Sequence, residues 1–178
     1  MNSETELFLI TKSFIPTHNS SKSVNSVFKF ITTLITVKTD PKQIYNCLLV
    51  GASIGTLQRS VLNIMTGILN HYFPQIKYSY NRQFNYITIL NYKIYLIGFS
   101  NITTSKIILG PILLFVYIDK VNLAVKEGFE VILDRMSLKE SKLIASMNPT
   151  NPSHWIYEEF IDREELKDIL TQLAFLIN

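Results

Sequence analysis

The sequence predicts an α/β domain whose sheet is mostly parallel and carries helices on both faces. Segments of strand and helix character alternate along most of the chain. Two strand segments, residues 44–50 and 112–118, are continuously apolar, as expected of strands buried on both faces. The 178 residues are 47% hydrophobic and 17% charged, which supplies one sizeable core. This composition excludes a disordered tail, a collagen-like chain and a coiled coil, and the length excludes a large two-domain enzyme.

The first half of the chain contains a strand, a helix, a second strand and a second helix. Residues 7–15 are mostly apolar and predict a strand, and after a polar turn residues 24–37 carry apolar side chains at helical spacing. Residues 44–50 predict a short buried strand that Gly51 closes. Residues 53–72 predict an amphipathic helix that ends just before Pro74, because proline rarely continues a helix.

The second half begins with a hairpin and then returns to alternation. Residues 84–90 and 93–99 flank Asn91-Tyr92 and predict a β-hairpin or two adjacent strands. The following segments have strand, helix, strand and helix character: residues 112–118, 123–135, 142–147 and 153–161. Ser153 is the expected N-cap of the last helix. Residues 166–178 are apolar and suit either a strand or a helix.

Charge and cysteine content narrow the partners and the compartment. The net charge is +3 and the pI about 8.9, which permits contact with nucleic acid without demanding it. The single cysteine, Cys47, excludes an intramolecular disulfide and a cysteine-based zinc cluster, and favours a reducing, cytosolic setting. The N-terminus lacks the basic region of a signal peptide, and the longest apolar run, residues 107–118, is shorter than the roughly 20 residues of a membrane span. We therefore expect no membrane association.

Polar residues gather at three predicted strand ends. These clusters are residues 19–23, 119–122 and 146–151. In open parallel sheets, ligands bind at the carboxyl ends of the strands. The sequence therefore predicts one site where the three clusters meet.

The first cluster has the setting of a phosphate-binding loop. Ser20, Ser21, Lys22 and Ser23 follow a predicted strand and open a helix. In such loops backbone N–H groups hold phosphates, the lysine reaches the β- and γ-phosphates, and the last hydroxyl binds Mg²⁺. The full pattern also requires glycine six residues before the lysine and directly before it, where this chain has Pro16 and Ser21. On these residues alone, a serine-rich helix cap remains the commoner interpretation.

The other two clusters supply a carboxylate and small polar groups. Asp119 ends an apolar strand, as does the carboxylate that helps hold Mg²⁺ in phosphate-loop ATPases. In many such enzymes a glutamate that activates water comes next, whereas this chain has Lys120. Ser146 and Asn148 end the following strand and can contact a γ-phosphate or the attacking water. A plain polar turn after Asp119 and an Asn-Pro turn at Asn148 are the structural alternatives.

Taken in order, these segments resemble the large subunit of the tailed-phage terminase (PBSX-like family), the ATP-driven motor that packages viral DNA. The resemblance covers nearly the whole chain and is most specific between residues 94 and 162. Its matching segments are residues 94–100, 106–110, 117–119 and 142–149. The most distinctive piece is Asn148-Pro149 followed by Pro152-Ser153-His154-Trp155.

The resemblance implies a P-loop NTPase-like fold that binds ATP and Mg²⁺. By similarity, Lys22 and Ser23 occupy the positions of the phosphate-loop lysine and hydroxyl, with Ser20 and Ser21 in the same nucleotide-binding loop. Asp119 occupies the position of the Mg²⁺ carboxylate, so Ser23 and Asp119 together form the expected metal site.

The resemblance also assigns a coupling segment and a catalytic position. Ser146 and Asn148 match the segment that couples the nucleotide state to DNA movement. Lys120 matches the catalytic glutamate, and a cation cannot accept a proton from water. We therefore expect ATP hydrolysis by this chain to be very slow or absent.

The family implies a larger assembly around this domain. We expect residues 1–178 to form a single ATPase domain, a fragment or degenerate copy that lacks the family's C-terminal nuclease domain. The implied partners are double-stranded DNA, the small terminase subunit, the portal and the missing nuclease domain. The implied location is the cytoplasm of a bacterial host.

Two alternative functions remain open on the sequence. The chain can be a non-catalytic nucleic-acid-binding or interaction module that retains the motor-domain fold. A small kinase-like enzyme with a phosphate loop is less favoured, because no motif for a phosphate acceptor is visible. Nucleotide binding discriminates a motor domain from a binding module.

Overall fold

A seven-stranded sheet forms the centre of the protein. The computed structural model describes residues 8–11, 19–102, 106–147, 153–156 and 158–159, without the side chains of residues 8–11, 19–22, 106 and 107. The strands are β1 Phe8–Thr11, β2 Tyr45–Gly51, β3 Tyr78–Asn81, β4 Tyr86–Ile89, β5 Tyr92–Gly98, β6 Leu113–Ile118 and β7 Lys142–Ser146. Their order across the sheet is β1-β7-β6-β2-β5-β4-β3.

Five neighbouring strands of this sheet are parallel. β2 lies in the middle, with β6 on one side and β5 on the other, and β7 and β1 continue the sheet beyond β6. The carboxyl ends of all five strands therefore lie at one edge of the sheet. The prediction of a mostly parallel sheet is confirmed.

The remaining strands form an antiparallel extension at one side of the sheet. β4 pairs antiparallel with β5, and β3 pairs antiparallel with β4. Ile89 lies opposite Tyr92 across a two-residue turn in which Leu90 has a positive φ of 52°, the backbone that tight hairpins require. The predicted hairpin is confirmed. β3 was not predicted, because its four residues, Tyr-Ser-Tyr-Asn, form no apolar run and none of them is fully buried.

The first long helix begins earlier than its apolar pattern indicates. α1 spans Asn19–Thr36, whereas the periodicity predicts residues 24–37. Its buried side chains are Val27, Phe30, Ile31 and Leu34. The extra turn at the start consists of polar residues, so hydrophobic spacing could not reveal it. This turn contains residues 20–23 of the predicted phosphate loop.

The second predicted helix contains a change of helical pitch. α2 (Ile54–Leu57) and α3 (Asn63–Tyr72) are joined by a π-helical turn, Gln58–Leu62. Ser53 caps α2 because its Oγ accepts a hydrogen bond from the Thr56 amide at 3.1 Å. One predicted helix is thus observed as a continuous helical segment with an internal π turn.

Two hydrophobic cores cover the two faces of the sheet. The first core lies between the sheet and α1 and α3, and includes Phe30, Leu49 and Met65. The second lies on the opposite face with α4 (Lys106–Leu109) and α5 (Lys126–Asp134), and includes Val50 and Phe129. Because successive residues of β2 enter opposite cores, its sequence is continuously apolar. The prediction of helices on both faces is confirmed.

Candidate functional site

The carboxyl edge of the parallel strands brings two of the predicted polar clusters together. Ile118, the last residue of β6, pairs with Ala145 of β7. Asp119 follows Ile118 and Ser146 follows Ala145, so Asp119 and Ser146 lie side by side. Thr11 at the end of β1 pairs with Ser146 on its other side. The predicted meeting point thus contains residues from β6 and β7, with the end of β1 beside them.

Asp119 is a buried carboxylate held in a defined orientation. The residue is only 5% exposed, and its amide donates to the Val50 carbonyl at 2.8 Å. Oδ1 accepts a hydrogen bond from the Ser146 hydroxyl at 3.0 Å. Oδ2 accepts none from the residues that the structure describes. One carboxylate oxygen is therefore held by the protein and the other is available to a ligand.

Gly51, at the end of β2, leaves the space that the Leu57 side chain occupies near the carboxylate. A Cβ at position 51 would lie 3.7 Å from the Asp119 Cβ and 2.8 Å from the Leu57 Cδ2. The second distance is shorter than real Cβ contacts, so any larger residue would push Leu57 away. The glycine that closes β2 thus keeps α2 close to the strand ends.

Ser146 bridges the ends of β6 and β7. Its hydroxyl donates to Asp119 and accepts a hydrogen bond from the Lys120 amide at 3.0 Å. Both groups belong to the chain that leaves β6, so one hydroxyl of β7 fixes the start of that turn. A displacement at Asp119 is therefore transmitted directly to β7.

We expect Ser146→Ala to lower the free energy of unfolding by about 1–3 kcal/mol, because it removes two hydrogen bonds and leaves the partly buried Lys120 amide without its acceptor. Urea denaturation measures this change. Ser141→Ala is a matched control, since Ser141 donates one neutral hydrogen bond to the Leu113 carbonyl at 2.9 Å. A loss at Ser146 no larger than the loss at Ser141 would contradict the bridging role.

Lys120 adopts an unusual backbone conformation beside this carboxylate. Its φ and ψ are both 59°, the left-handed region that residues other than glycine rarely enter. Its amide binds Ser146, and its carbonyl accepts from the Leu123 amide at 2.9 Å. These two bonds hold the turn, while the Lys120 side chain remains exposed. The residue directly after the buried carboxylate therefore carries an exposed cation.

The first turn of α1 supplies the remaining predicted site residues. Ser20, Ser21 and Lys22 lie in this turn by their backbone, and their side chains are outside the described part. Ser23 is half-buried. α1 packs against β6 and β7, and the rings of Phe30 and Tyr117 are 5.8 Å apart. A helix N-terminus attracts anions through its free amides and its dipole, which suits a phosphate-binding turn.

Tyr117 is a buried residue of the site that sequence reasoning missed. It lies two residues before Asp119 on β6, and therefore on the same face of the strand. Burial raises the pKa of Tyr117 above its ordinary value, and the Asp119 carboxylate raises it further. The hydroxyls of Ser146 and Ser26 lower that pKa in part, so Tyr117 adjoins both β7 and α1. The sequence signal that could have identified Tyr117 is its spacing of two residues from Asp119, because residues two apart on a strand face the same side.

Asn148, the last of the predicted site residues, and the distinctive Pro-Ser-His-Trp stretch both follow β7 in the sequence. Asn148 is outside the described residues. Trp155 packs on Phe129, with ring centroids 5.3 Å apart. Lys126 donates to Glu159 at 2.6 Å, and this hydrogen bond raises the pKa of the exposed Lys126. These contacts hold the segment against α5.

The donor set at the strand ends suits magnesium. Within the described ranges, no group of three or more His, Cys, Asp or Glu side chains can hold a metal ion. Mg²⁺ typically uses one or two protein carboxylates together with phosphates and water. The Asp119 carboxylate supplies one such ligand, whereas an ion that needs an all-protein cage would lack ligands among the described residues.

A membrane-crossing helix is not found. None of the helices in the described part of the chain is long and apolar enough to span a bilayer.

Solved large terminases of phages share this fold. The large terminase of the thermophilic bacteriophage D6E is 22% identical, with a TM-score of 0.73 over 93% of this chain and 39% of that chain. The HK97 bacteriophage large terminase is 12% identical, with a TM-score of 0.63 over 92% of this chain and 34% of that chain. The large terminase ATPase domain of Thermus phage P74-26 is 15% identical, with a TM-score of 0.54 over 86% of this chain and 62% of that chain. The chain thus spans about two fifths of the D6E protein.

These matches establish a P-loop NTPase-like fold of the terminase ATPase type. Structures of the D6E protein have also been solved in complex with ADP and with ATP-γ-S.

A comparison with curated proteins finds no match to the chain. A comparison with family models gives an independent result: the model described as phage terminase large subunit matches residues 15–174, which is most of the sequence. The chain therefore belongs to the phage terminase large subunit family.

Proposed function

We propose that this chain is the ATP-binding motor domain of a phage DNA-packaging terminase. The observation that carries the proposal is the cluster at the strand ends. Asp119 is buried with one oxygen that accepts no hydrogen bond from the described residues, and Ser146 links it to β7, a strand that packs against α1. A nucleotide whose phosphates lie at the helix N-terminus would bring its metal ion to this carboxylate.

Each site residue has a role in nucleotide binding. The backbone amides around Ser20 and Ser21 bind phosphate oxygens, and Lys22 neutralises the β- and γ-phosphates. Ser23 and Asp119 hold Mg²⁺, which in turn bridges two phosphates. Support for this assignment comes from the D6E structures with ADP and ATP-γ-S, because their fold is shared.

Ser146 and Asn148 couple the nucleotide to the rest of the domain. Ser146 binds both Asp119 and the Lys120 amide, so a change in the metal or the γ-phosphate alters two bonds to β7 at once. Asn148 comes two residues later in the sequence, and we propose that it acts in the same coupling segment. The coupling would move bound DNA when the nucleotide state changes.

Lys120 makes this a slow motor when the chain acts alone. It follows the metal carboxylate directly, and its ammonium group cannot serve as the general base for water. Its charge instead favours retention of the nucleotide phosphates. The chain therefore binds ATP and releases phosphate very slowly.

The domain would work within a larger packaging machine. We propose that residues 1–178 form one ATPase domain that acts with a nuclease domain, a small terminase subunit, a portal and double-stranded DNA. The site of action is the cytoplasm of the infected or lysogenic bacterium. These partners follow from the family to which the chain belongs.

Thermal unfolding with Mg²⁺-ATP tests the proposal. The unmodified chain should unfold at a higher temperature with the ligand, because a ligand bound only by the native state stabilises it. Lys22→Ala should abolish this rise. Lys38→Ala is a matched control, since Lys38 is an exposed lysine just beyond the other end of α1.

Two results would overturn the motor-domain assignment. One is the absence of a thermal shift in the unmodified chain, and the other is a shift that Lys22→Ala leaves intact. If the first were accompanied by salt-sensitive DNA binding, the alternative of a non-catalytic nucleic-acid-binding module would replace it.

A further inference from the structure

One face of the antiparallel extension is not covered by another helix or strand in the described part of the chain. We call it the extension face, and it consists of Ser79, Asn81, Tyr86, Thr88, Lys93 and Tyr95. The alternate residues of the same strands, such as Ile87 and Ile94, lie in the first core. The residues of the extension face are half-buried or exposed. The extension is therefore buried on one side only, as antiparallel sheets often are.

The extension face is organised in two rows across three strands. Ser79, Thr88 and Lys93 are register neighbours in one row. Asn81, Tyr86 and Tyr95 are register neighbours in the other. Within the second row the Asn81 amide group donates to the Tyr86 hydroxyl at 3.4 Å, and Tyr95 packs at the border of the second core. The face thus presents hydrogen-bonding groups on a regular grid.

Lys93 is the cation of this face and lies at the β5 end of the first row. Its Nζ lies 4.2 Å from the Tyr86 ring centroid and 5.2 Å from that of Tyr95. The two rings are themselves 5.8 Å apart in an edge-on arrangement. Within the described residues Lys93 has no carboxylate partner. Cation–π contacts of this kind orient the ammonium group without neutralising its charge.

The charge pattern around this face favours a polyanion as its ligand. Residues 41–118 contain no Asp or Glu, and all 14 acidic residues lie before or after this stretch. The same stretch carries six Lys and Arg residues. Lys77 and Arg82, both exposed, flank β3 at its two ends. At the usual rise of a strand they are about 17 Å apart, a span that covers several phosphates of a duplex.

One acidic residue, Asp40, lies beside the β4–β5 turn. Its carboxylate accepts a hydrogen bond from the Lys42 amide, and its carbonyl accepts one from Asn91. This carboxylate is therefore engaged at the border of the extension and does not neutralise Lys93.

We propose that the extension face binds the phosphate backbone of double-stranded DNA. Lys93, Lys77 and Arg82 would neutralise phosphates, while Asn81, Thr88 and the tyrosine hydroxyls would donate to phosphate oxygens. The proposal rests on the proposed function, and it gives the DNA a surface on this domain separate from the nucleotide edge. Such contacts position the duplex and carry no sequence preference.

Fluorescence anisotropy with a labelled 30-base-pair duplex (about three turns), without nucleotide, tests the extension face in the whole chain. Lys93→Gln should weaken binding and lower the slope of log K against log salt by about 0.9, the value for one lost phosphate contact. Arg82→Gln should act in the same direction, and it leaves the contacts of Lys93 intact. Lys139→Gln is the matched control, because Lys139 is exposed in the turn before β7.

The outcomes separate this proposal from the proposed function. Loss of DNA affinity in Lys93→Gln and Arg82→Gln, with the Mg²⁺-ATP thermal shift retained, supports the extension face. Equal weakening in Lys139→Gln would overturn it, since net charge alone would then explain the result. Tighter binding of a single-stranded oligonucleotide, or a change of oligomeric state without a change in DNA affinity, would also overturn it. Absence of the thermal shift in the unmodified chain would defeat the nucleotide site alone.

Discussion

Lys120→Glu is expected to raise the steady-state rate of ATP hydrolysis by about 10²-fold or more, the lower end of what a positioned general base contributes. The residue follows Asp119 directly and its side chain reaches solvent. A glutamate there would accept a proton from the attacking water, which an ammonium group cannot do. The unmodified chain should turn over well below 1 s⁻¹, a rate at the low end of working enzymes.

The substitution is expected to leave the fold unchanged. The two hydrogen bonds that hold this turn use the Lys120 backbone, so they survive any change of side chain. Lysine and glutamate bear a similar cost in the left-handed region, because both carry an unbranched Cβ. The difference between the variants therefore reflects the chemistry of the side chain.

Lys120→Gln separates the loss of a cation from the gain of a base. It removes the positive charge and supplies no carboxylate, so it should not reproduce the rate of Lys120→Glu. Phosphate release at saturating Mg²⁺-ATP measures all three proteins. An equal rate in Lys120→Gln, or turnover near 1 s⁻¹ in the unmodified chain, would refute the base-replacement account.

The parallel centre of the fold was predictable from sequence because its physical cause is local. Residues of β2 and β6 alternate between two cores, and this leaves continuous apolar runs that only a doubly covered strand needs. The polar residues directly after such runs then lie at one edge of the sheet. For this reason the sequence predicts that the polar clusters at Asp119 and Ser146 lie at one edge of the sheet, whereas their direct adjacency follows from the observed pairing of β6 with β7.

The parts that were missed depend on tertiary contacts. β3 is a short edge strand, and Gln58 in the π turn donates to the Tyr80 hydroxyl at 2.5 Å. This contact joins elements 22 residues apart in sequence, so no local pattern indicates it. The left-handed backbone of Lys120 likewise depends on Ser146, which comes from another strand.

The acid-free stretch shows the same division between sequence and structure. The absence of Asp and Glu from residues 41–118 can be read directly from the sequence. Its significance emerges only when β3, β4 and β5 place Lys93 on a face that no other described element covers. Charge composition alone therefore indicates only a mildly basic chain, whereas the register of the strands shows that Lys93 lies on the extension face.

Asp119→Asn is expected to abolish the Mg²⁺-dependent part of nucleotide stabilisation. At a ligand concentration of about 100 times its dissociation constant, binding stabilises the native state by about 2.7 kcal/mol. Asparagine keeps an oxygen that can accept from Ser146, so the fold should persist. It loses the negative charge that Mg²⁺ requires, so ATP with and without Mg²⁺ should give the same unfolding temperature.

Comparison with an exposed aspartate makes the result specific. Asp134 ends α5 and is exposed, so Asp134→Asn removes the same charge away from the site and should leave the Mg²⁺-dependent shift unchanged. Without ligand, Asp119→Asn should be as stable as the unmodified chain or more so, because it removes a buried charge. A Mg²⁺-dependent shift that persists in Asp119→Asn would exclude this carboxylate from the metal site.

Combining Asp119→Asn with Ser146→Ala distinguishes orientation from direct metal binding. Ser146 holds only Oδ1 of the carboxylate, so Ser146→Ala alone should reduce the Mg²⁺-dependent shift without abolishing it. In the double variant the loss of Ser146 should have no further effect on that shift, because the group that it orients no longer binds the metal. Non-additivity of this kind is expected of residues in one hydrogen-bond network. An additive loss would instead mean that Ser146 contacts the nucleotide or its metal independently of Asp119.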